Sequence, residues 1–269
     1  TTKIHLDPRF PISRKMALNV GIKSAHHECM VFTSTDAVPQ TDRWLALMAK
    51  GFTRGEIVVG YCGVERGKGF ANYMMRAWRM MHGVDWIARA VRRNPYRGTL
   101  HNIGFTKNIY FGSKGFSHLN MNIGEDDLYM QKVMTHDNVS VILSPRETLR
   151  EKKWGGMRWW MGQLRYYGSA FPFYPQQVKN YIQWELGSRA LFFITAACAL
   201  AVMPFEYKIA ALVLVLVRYL LAAIQVRRIA RRLGEASMAG CYFVYDLLSP
   251  LWAFLLGVML LRRDDRVWR

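Results

Sequence analysis

Three long apolar runs follow residue 186 and limit the folds open to this chain more than any other feature. They cover residues 190–203, 209–224 and 242–261; Arg218 lies inside the second, and Asp246 and Pro250 lie inside the third. A membrane-spanning helix needs about 20 residues, with a range of roughly 17–25. Helices buried in a soluble core are the alternative interpretation. Because three such runs follow one another with basic linkers between them, the sequence favours a membrane segment.

The placement of positive charge predicts how these runs sit in a membrane. Four arginines separate the second run from the third and four more follow the third: Arg227, Arg228, Arg231, Arg232, Arg262, Arg263, Arg266 and Arg269. The positive-inside rule places both clusters in the cytoplasm. We therefore expect two spanning helices and a third run that re-enters or lies in the interface. Three full spans are the alternative and would leave the second cluster outside.

Two smaller features of the membrane segment carry their own expectations. Residues 225–233 form a basic amphipathic stretch suited to anionic lipid headgroups. Arg218 is expected to extend its side chain to the interface, as long basic side chains commonly do. Binding of a lipid phosphate by Arg218 is the less favoured alternative.

The amino-acid composition limits the class of partner that the chain is expected to bind. The 269 residues carry 37 Lys and Arg against 19 Asp and Glu, a formal net charge of +18, while 51% of the residues are hydrophobic. Such a basic chain suits anionic partners, and its high apolar content favours a membrane over a nucleic acid. The basic residues do not alternate with stacking aromatic residues, which argues against nucleic acid binding. The four cysteines are widely spaced, as expected for reduced structural thiols.

The chain before residue 186 alternates strand and helix patterns. Residues 30–33, 56–61 and 139–143 are apolar and rich in β-branched side chains, which predicts three strands. Residues 14–25 and 72–90 have helical spacing of apolar side chains. This alternation predicts an α/β layer fold, whose sites lie at the carboxyl ends of the strands.

The acidic stretch Gly124-Glu125-Asp126-Asp127-Leu128 is the strongest candidate for chemistry in this part of the chain. A carboxylate cluster between apolar segments is costly unless cations or a proton-transfer role keep it there. A solvated loop or the start of a helix is the alternative, since acids suit the positive end of a helix dipole.

Several segments, in order, resemble the membrane-bound glycosyltransferases of family 2. Residues 13–19, Ser-Arg-Lys-Met-Ala-Leu-Asn, are similar to that family's S-x-K-x-x-A-L-N segment. A strand and the turn Ser34-Thr35-Asp36 follow, where the family has Asp-x-Asp. Pro39 and Trp44 support this register. Asp36 then matches the second aspartate and Ser34 replaces the first, a departure that weakens the implied metal site.

The resemblance continues through the acidic stretch. Residues 104–108 are similar to the family's G-x-x-x-N segment, and Lys114-Gly115-Phe116 with Gly124 to Leu128 is similar to its K-G-F…G-[DE]-D-D-L run. Residues 159–166 are similar to its Q-x-x-R-W signature, although the spacing here is Q-x-R-Y. By position, the resemblance implies the following roles. Asp126 is the catalytic base, with Asp127 second and Glu125 orienting; Lys15, Asp36, Lys107, Asn108, Gln163 and Arg165 bind the donor diphosphate; Asp36 binds Mg²⁺ or Mn²⁺.

The resemblance implies an α/β, GT-A-like (Rossmann-like) catalytic domain over residues 1–150, interfacial helices over 151–186 and C-terminal membrane helices over 187–269. It implies an inverting transferase at the bacterial inner membrane, with its catalytic domain in the cytoplasm. Its partners would be a UDP- or GDP-sugar donor and a lipid-linked or polysaccharide acceptor. The family's first strand–helix–strand portion precedes the matched segments, so we expect an incomplete N-terminal part, supplied by a missing segment or a partner subunit. The alternative is a non-catalytic, membrane-anchored subunit of a polysaccharide-synthesis complex.

Overall fold

The structure is a computed structural model, and it describes residues 14–118, 126–152 and 156–261. The described helices are α1 Arg14–Ser24, α2 Trp44–Gly51, α3 Phe70–Val91, α4 Lys107–Gly112, α5 Leu128–Val133, α6 Gly156–Ala170, α7 Gln176–Val202, α8 Phe205–Arg232 and α9 Tyr242–Leu261. The described strands are β1 Cys29–Thr33, β2 Ala37–Pro39, β3 Ile57–Val59, β4 Cys62–Val64, β5 Asn102–Thr106, β6 Val139–Val141 and β7 Leu149–Glu151. Short 3-10 turns cover Gly115–His118, Pro145–Glu147, Phe171–Phe173 and Ala236–Cys241.

The chain divides into two compact units. Of the described residues, the first, here called the sheet unit, comprises 14–63, 83–118 and 126–152. The second, the helical unit, comprises 64–82 and 156–261. Helix α3 contributes its first half to the helical unit and its second half to the sheet unit. The mixed α/β class expected from the sequence is therefore confirmed.

A four-stranded mixed sheet forms the centre of the sheet unit. Its order is β1-β5-β3-β6, with β5 antiparallel to β1 and β3, and with β3 parallel to β6. All three residues of β3, Ile57–Val59, are buried, as expected for β-branched side chains of a strand covered on both faces. The three strands and two helices expected from the sequence all form, with shorter strand limits at residues 57–59 and 139–141.

Strand β5 was not expected from the sequence, although all five of its residues are buried. Gly104 at its centre weakens the strand pattern. The structure shows why glycine stands there: a Cβ atom would lie 2.7 Å from the Phe52 ring and 3.1 Å from the Met30 carbonyl oxygen. Close packing therefore requires glycine at position 104. The same glycine makes the strand difficult to recognise in the sequence. A second sheet, of order β2-β7-β4, also went unpredicted because its strands have three residues each.

The helical unit has its own apolar core. Met74 and Met75 of α3 pack with Val64 and with Trp160 and Leu164 of α6. Partly buried residues of α9 pack against the same cluster: Val244, Leu248 and Trp252. The core therefore joins α3, α6 and α9 within this unit.

Helices α7 and α8 are long and apolar enough to cross a membrane, and they are the two such helices in the described part of the chain. Most of their apolar side chains face outward; Leu191, Leu214 and Leu220 are examples. A water-soluble protein rarely exposes so much continuous apolar surface. The membrane-spanning helices expected from the first two runs are thus present by length and composition. The first helix is longer than its apolar run, because it begins at Gln176.

Arg218 has a partner within the helical unit that was not expected from the sequence. Its guanidinium does not extend away from the helices but binds Asp246 of α9, with 2.6 Å between Nη1 and Oδ2. Asp246 is fully buried, also accepts a hydrogen bond from the Tyr219 hydroxyl at 3.0 Å, and lies 3.5 Å from Arg189 Nε. A carboxylate in the third run thus binds one cation from α7 and one from α8. The separate apolar runs do not show this pairing.

Candidate functional site

Asp126 is a buried acid of the sheet unit, and it meets a cation from another element. Its side chain is 2% exposed, and its Oδ1 lies 3.7 Å from Nη2 of Arg14, the first residue of α1. Arg14 keeps 47% of its side chain exposed, so the pair reaches the surface on the arginine side. A nearby guanidinium offsets part of the cost of burying a carboxylate. The structure therefore brings the start of α1 to the acidic stretch, as the sequence order alone could not show.

Asp127 has a structural role in addition to its proposed one. Its carboxylate accepts a hydrogen bond from the Leu128 backbone N–H at 2.9 Å and caps the start of α5. Residues of this type at the first position of a helix satisfy backbone donors that have no partner within the helix. Glu125, the third acid of the stretch, lies outside the described residues. The alternative interpretation, an acidic helix start, thus describes Asp127 well. Both acids are buried, and Asp126 faces Arg14.

An aromatic cluster packs beside the acidic stretch. Tyr129 of α5 contacts Phe105, Tyr110 and Phe116, with ring centroids 5.0–6.0 Å apart. Burial raises the pKa of Tyr129 to about 12, despite the hydrogen bond to Ser113 that lowers it. The Lys114-Gly115-Phe116 segment turns through left-handed backbone at Gly115, where a Cβ atom would lie 2.6 Å from the Tyr110 ring. The K-G-F segment is therefore a tight turn against this cluster.

Asp36 lies in the turn that follows β1. The turn is held by its own backbone: the Asp36 N–H donates to Ser34 Oγ at 3.3 Å, and the Asp36 carbonyl accepts from the Lys152 N–H at 2.8 Å. In the described part of the chain, the Asp36 carboxylate has no hydrogen bond or ion pair. It is half-buried in a turn that these backbone hydrogen bonds hold in place.

Metal binding at Asp36 depends on how many further ligands the described residues offer. Among the described residues, no three His, Cys, Asp or Glu side chains gather closely enough to hold a metal. A Mg²⁺ ion often takes only one or two protein carboxylates and completes its shell with phosphate oxygens and water. Asp36 alone therefore fits a metal that is held jointly with a bound diphosphate, and it does not fit a metal held by the protein alone.

Lys107 and Asn108 lie away from the Asp36 turn. In the antiparallel pairing of β1 with β5, Thr106 lies opposite Cys29 and Asn102 lies opposite Thr33. The end of β5 therefore meets the start of β1, whereas the Asp36 turn follows the end of β1. Lys107 Nζ donates to the Ala25 carbonyl, just past the end of α1, and the Asn108 N–H donates to Glu28. A five-residue strand is about 17 Å long. The structure does not bring these two residues together with Asp36, because they sit at opposite ends of β1.

The remaining candidates lie on two helices. Lys15 is the second residue of α1 and is half-buried, next to the Arg14 that contacts Asp126. Gln163 and Arg165 are on α6 in the helical unit; Gln163 is half-buried and Arg165 is exposed. Lys15 is thus placed with the acidic stretch, and the other two belong to the second unit.

Two residues of the site were missed in the sequence. Arg14 was passed over because the S-x-K pattern directs attention to its neighbour, and helical spacing does not show which of two adjacent cations faces the acid. Asn102, fully buried at the start of β5, donates to the Tyr61 and Glu147 carbonyls at 3.0 Å each and accepts from Trp44 Nε1 at 3.1 Å. Asn102 ties together the chain segments at the sheet edge where the Asp36 turn begins, and no local pattern marks it.

No protein-family model matches this chain, and comparison with curated proteins finds no match either.

Proposed function

We propose that this chain is a membrane-bound inverting glycosyltransferase with a GT-A-like catalytic domain, which moves a sugar from a nucleotide diphosphate to a lipid-linked or polysaccharide acceptor. The observation that carries the proposal is the buried Asp126 beside Arg14, on an α/β sheet unit in a chain with two membrane-length apolar helices. Membrane-length helices favour an acceptor that is itself in or at the membrane. The family resemblance of the same acidic stretch supports this assignment.

The proposed reaction is a single displacement at the anomeric carbon. Asp126 takes the proton of the acceptor hydroxyl, the freed oxygen attacks the anomeric carbon, and the bond from that carbon to the diphosphate breaks. The nucleoside diphosphate leaves with the electron pair, and the configuration inverts. General-base catalysis of this kind contributes typically 10²–10⁴-fold in rate. Arg14, 3.7 Å from Oδ1 of Asp126, offsets part of the cost of the buried charge before the proton is taken.

Charge on the departing diphosphate needs stabilisation by cations. Asp36 would hold a Mg²⁺ or Mn²⁺ ion together with the diphosphate, and the metal would neutralise charge that builds up on the leaving oxygen. Lys15, half-buried on α1, is a candidate for a direct contact to the phosphates. Gln163 and Arg165, on α6 of the helical unit, stay predictions of the family resemblance alone. Lys107 and Asn108 are weaker candidates, since both are engaged at the other end of β1.

The test is donor binding and transfer by the full chain in detergent, with a panel of UDP- and GDP-sugars, each with and without Mn²⁺. Asp126→Asn should retain donor binding and lose transfer by at least 10²-fold, because only the base is changed. The matched control is Asp137→Asn, an exposed acid of the same unit, which should keep normal turnover. Near-normal transfer by Asp126→Asn would refute its role as the base.

One observation favours the second candidate, a non-catalytic subunit. Ser34 stands where the resemblance expects an acid. If no donor binds in any condition, and cells carrying Asp126→Asn make as much polymer as cells carrying the native chain, the subunit role is the correct one.

A further inference from the structure

Helix α9 is held on two sides, and the two contacts fix its place in the helical unit. One side packs on the apolar core: Val244, Leu248 and Trp252 lie against α3 and α6, and the Trp252 ring centroid is 5.7 Å from that of Trp160. Their spacing of four residues puts them on one side of the helix over two turns. From residue 244 to residue 252, α9 thus runs along α3 and α6.

The other side of α9 binds the two membrane-length helices. Asp246 receives Arg218 of α8 at 2.6 Å and Arg189 of α7 at 3.5 Å, and Arg189 Nη1 donates to Ser249 Oγ at 2.9 Å. Glu185, one turn before Arg189, forms an ion pair with it. Two carboxylates therefore meet two guanidinium groups, so that the cluster as a whole is electrically neutral.

The depth of this cluster follows from helix geometry. Fourteen residues separate Arg189 from Met203, and fourteen separate Pro204 from Arg218. At about 1.5 Å per residue, both arginines lie about 21 Å from the turn between α7 and α8. Trp184 and Arg227, which suit the far boundary, lie about 28 and 34 Å from that turn, close to the roughly 30 Å of a hydrocarbon core. Asp246 thus meets its arginines in the last third of the crossing.

Helix α6, which packs against α9, belongs at the boundary between membrane and water. On α6, Arg158, Gly162 and Arg165 are exposed at spacings of four and three residues, which gives that helix a polar outer face. A helix with charged residues facing outward does not lie in hydrocarbon. Because α9 runs along α6 as far as Trp252, only nine residues remain to Leu261. Nine residues reach about 14 Å, half of a hydrocarbon core.

The third side of α9 is apolar and exposed. Phe243, Leu247, Leu251 and Phe254 are 46–68% exposed and recur at spacings of four, four and three residues. This stripe has the same character as the outward face of α8, where Leu214 is 69% exposed. A surface of this kind beside membrane helices fits lipid acyl chains.

We propose that α9 does not cross the bilayer but lies in one leaflet, on the side of the arginines at the end of α8. Its exposed stripe contacts lipid acyl chains, and the chain crosses the membrane twice. Residues 262–269, which carry four arginines and two aspartates, then share a side with Arg227, Arg228, Arg231 and Arg232. The positive-inside rule favours this arrangement over three crossings. The inference rests on the membrane insertion included in the proposed function, and not on its chemistry.

The test places reporters in the full chain, expressed in a bacterial host. Green fluorescent protein and alkaline phosphatase, which are active on opposite sides of the inner membrane, are fused after Arg269 or inserted between Met203 and Pro204. We expect fluorescence and no phosphatase activity after Arg269, with phosphatase activity at the insertion between α7 and α8. Phosphatase activity both after Arg269 and at the insertion between α7 and α8 would overturn the proposal, because α9 would then cross.

A second measurement avoids large fusions. Arg269→Cys is labelled with a membrane-impermeant maleimide in right-side-out and inside-out vesicles, in a chain with the exposed Cys29 and Cys198 replaced by Ser. Labelling only in inside-out vesicles is expected; labelling only in right-side-out vesicles would overturn the proposal. If the Met203–Pro204 insertion and the fusion after Arg269 both report the cytoplasmic side, α7 and α8 do not span, and membrane insertion itself fails rather than the placement of α9.

Discussion

At the scale of the single residue, the acidic stretch separates into two different environments. Asp127 caps α5 from the helix start, while Asp126, one position earlier, turns into the protein toward Arg14. Adjacent residues of the same type thus have different surroundings, because a helix start directs successive side chains to different sides. A run of acids in a sequence does not show which acid caps a helix and which one faces a cation, so a catalytic role has to be assigned from the surroundings of each residue. This difference in surroundings selects Asp126 over Asp127 as the proposed base.

Tyr129, which follows the acidic stretch, makes the stability of the sheet unit depend on pH. Its pKa is about 12 in the folded chain, against 10.0 for an ordinary tyrosine, because burial disfavours the phenolate. The unfolded chain therefore releases this proton at lower pH than the folded chain does. The stabilising contribution is complete below about pH 10 and is lost as pH rises toward 12.

We expect Tyr129→Phe to reduce the loss of stability between pH 10 and pH 12, while keeping the ring contacts with Phe105 and Phe116. At pH 7 the variant should lose about 1 kcal/mol with the Ser113 hydrogen bond. Denaturation of the detergent-solubilised chain across this pH range measures both effects. Tyr207→Phe, an exposed tyrosine, is the control and should follow the native curve. Identical alkaline slopes for Tyr129→Phe and the native chain would contradict the account.

At the scale of the element, the predictable parts of this fold are those that local pattern determines. The strand at residues 57–59 has β-branched side chains throughout, and α3 has helical spacing over 22 residues, so both could be located in the sequence. β5 could not, because Gly104 is required by the close approach of Phe52 and Met30, which come from elsewhere in the chain. Local composition fails where packing between distant segments selects the residue.

The same limit explains what was missed in the site and in the membrane segment. Asn102 joins residues 41, 45 and 58 positions away, and Arg218 meets an acid 28 positions along the chain. Pairs of this kind are set by how helices and strands pack, and a single sequence contains no signal of which acid meets which base. The acidic stretch and the two membrane-length helices could be found because each is continuous in sequence.

The attachment of α9 depends on Asp246. Replacing it with Ala would leave the buried ends of Arg189 and Arg218 without their shared carboxylate, and removal of one member of a buried ion pair typically costs about 3–5 kcal/mol. We expect Asp246→Ala to lower the thermal midpoint of the detergent-solubilised chain by several degrees. Asp246→Asn should have a smaller effect, because the amide oxygen still accepts hydrogen bonds from Tyr219 and Arg218.

The control for this series is Glu206→Ala, an exposed acid in the first turn of α8, which should change stability by no more than about 0.5 kcal/mol. Equal midpoints for Asp246→Ala and Glu206→Ala would show that the ion cluster does not hold α9. The comparison thus separates the contribution of the buried cluster from a general loss of negative charge.

At the scale of the whole molecule, the net charge of +18 is distributed unevenly over the surface. Arg227, Arg228, Arg231 and Arg232 are all exposed on the last two turns of α8, while Val226 just before them and Ala230 between them are buried. One side of the helix end is thus fixed to the protein and the other side is a band of four cations. This band stands at the boundary at which the apolar surface of α8 ends.

Such a band predicts a preference for anionic lipid. Each arginine near a negative membrane surface contributes about 1 kcal/mol, and salt weakens the attraction over a Debye length of about 10 Å at 0.1 M. We expect anionic phosphatidylglycerol, added to the chain in neutral detergent, to raise its thermal midpoint, and 0.5 M salt to remove most of that rise. Changing all four arginines to Gln should abolish the rise, whereas changing them to Lys should preserve it, because lysine keeps the charge and loses only the planar guanidinium. A rise that survives the Gln variant would place the lipid-binding charge elsewhere. A rise lost in both variants would instead mean that the guanidinium geometry, rather than the charge of the band, selects the lipid.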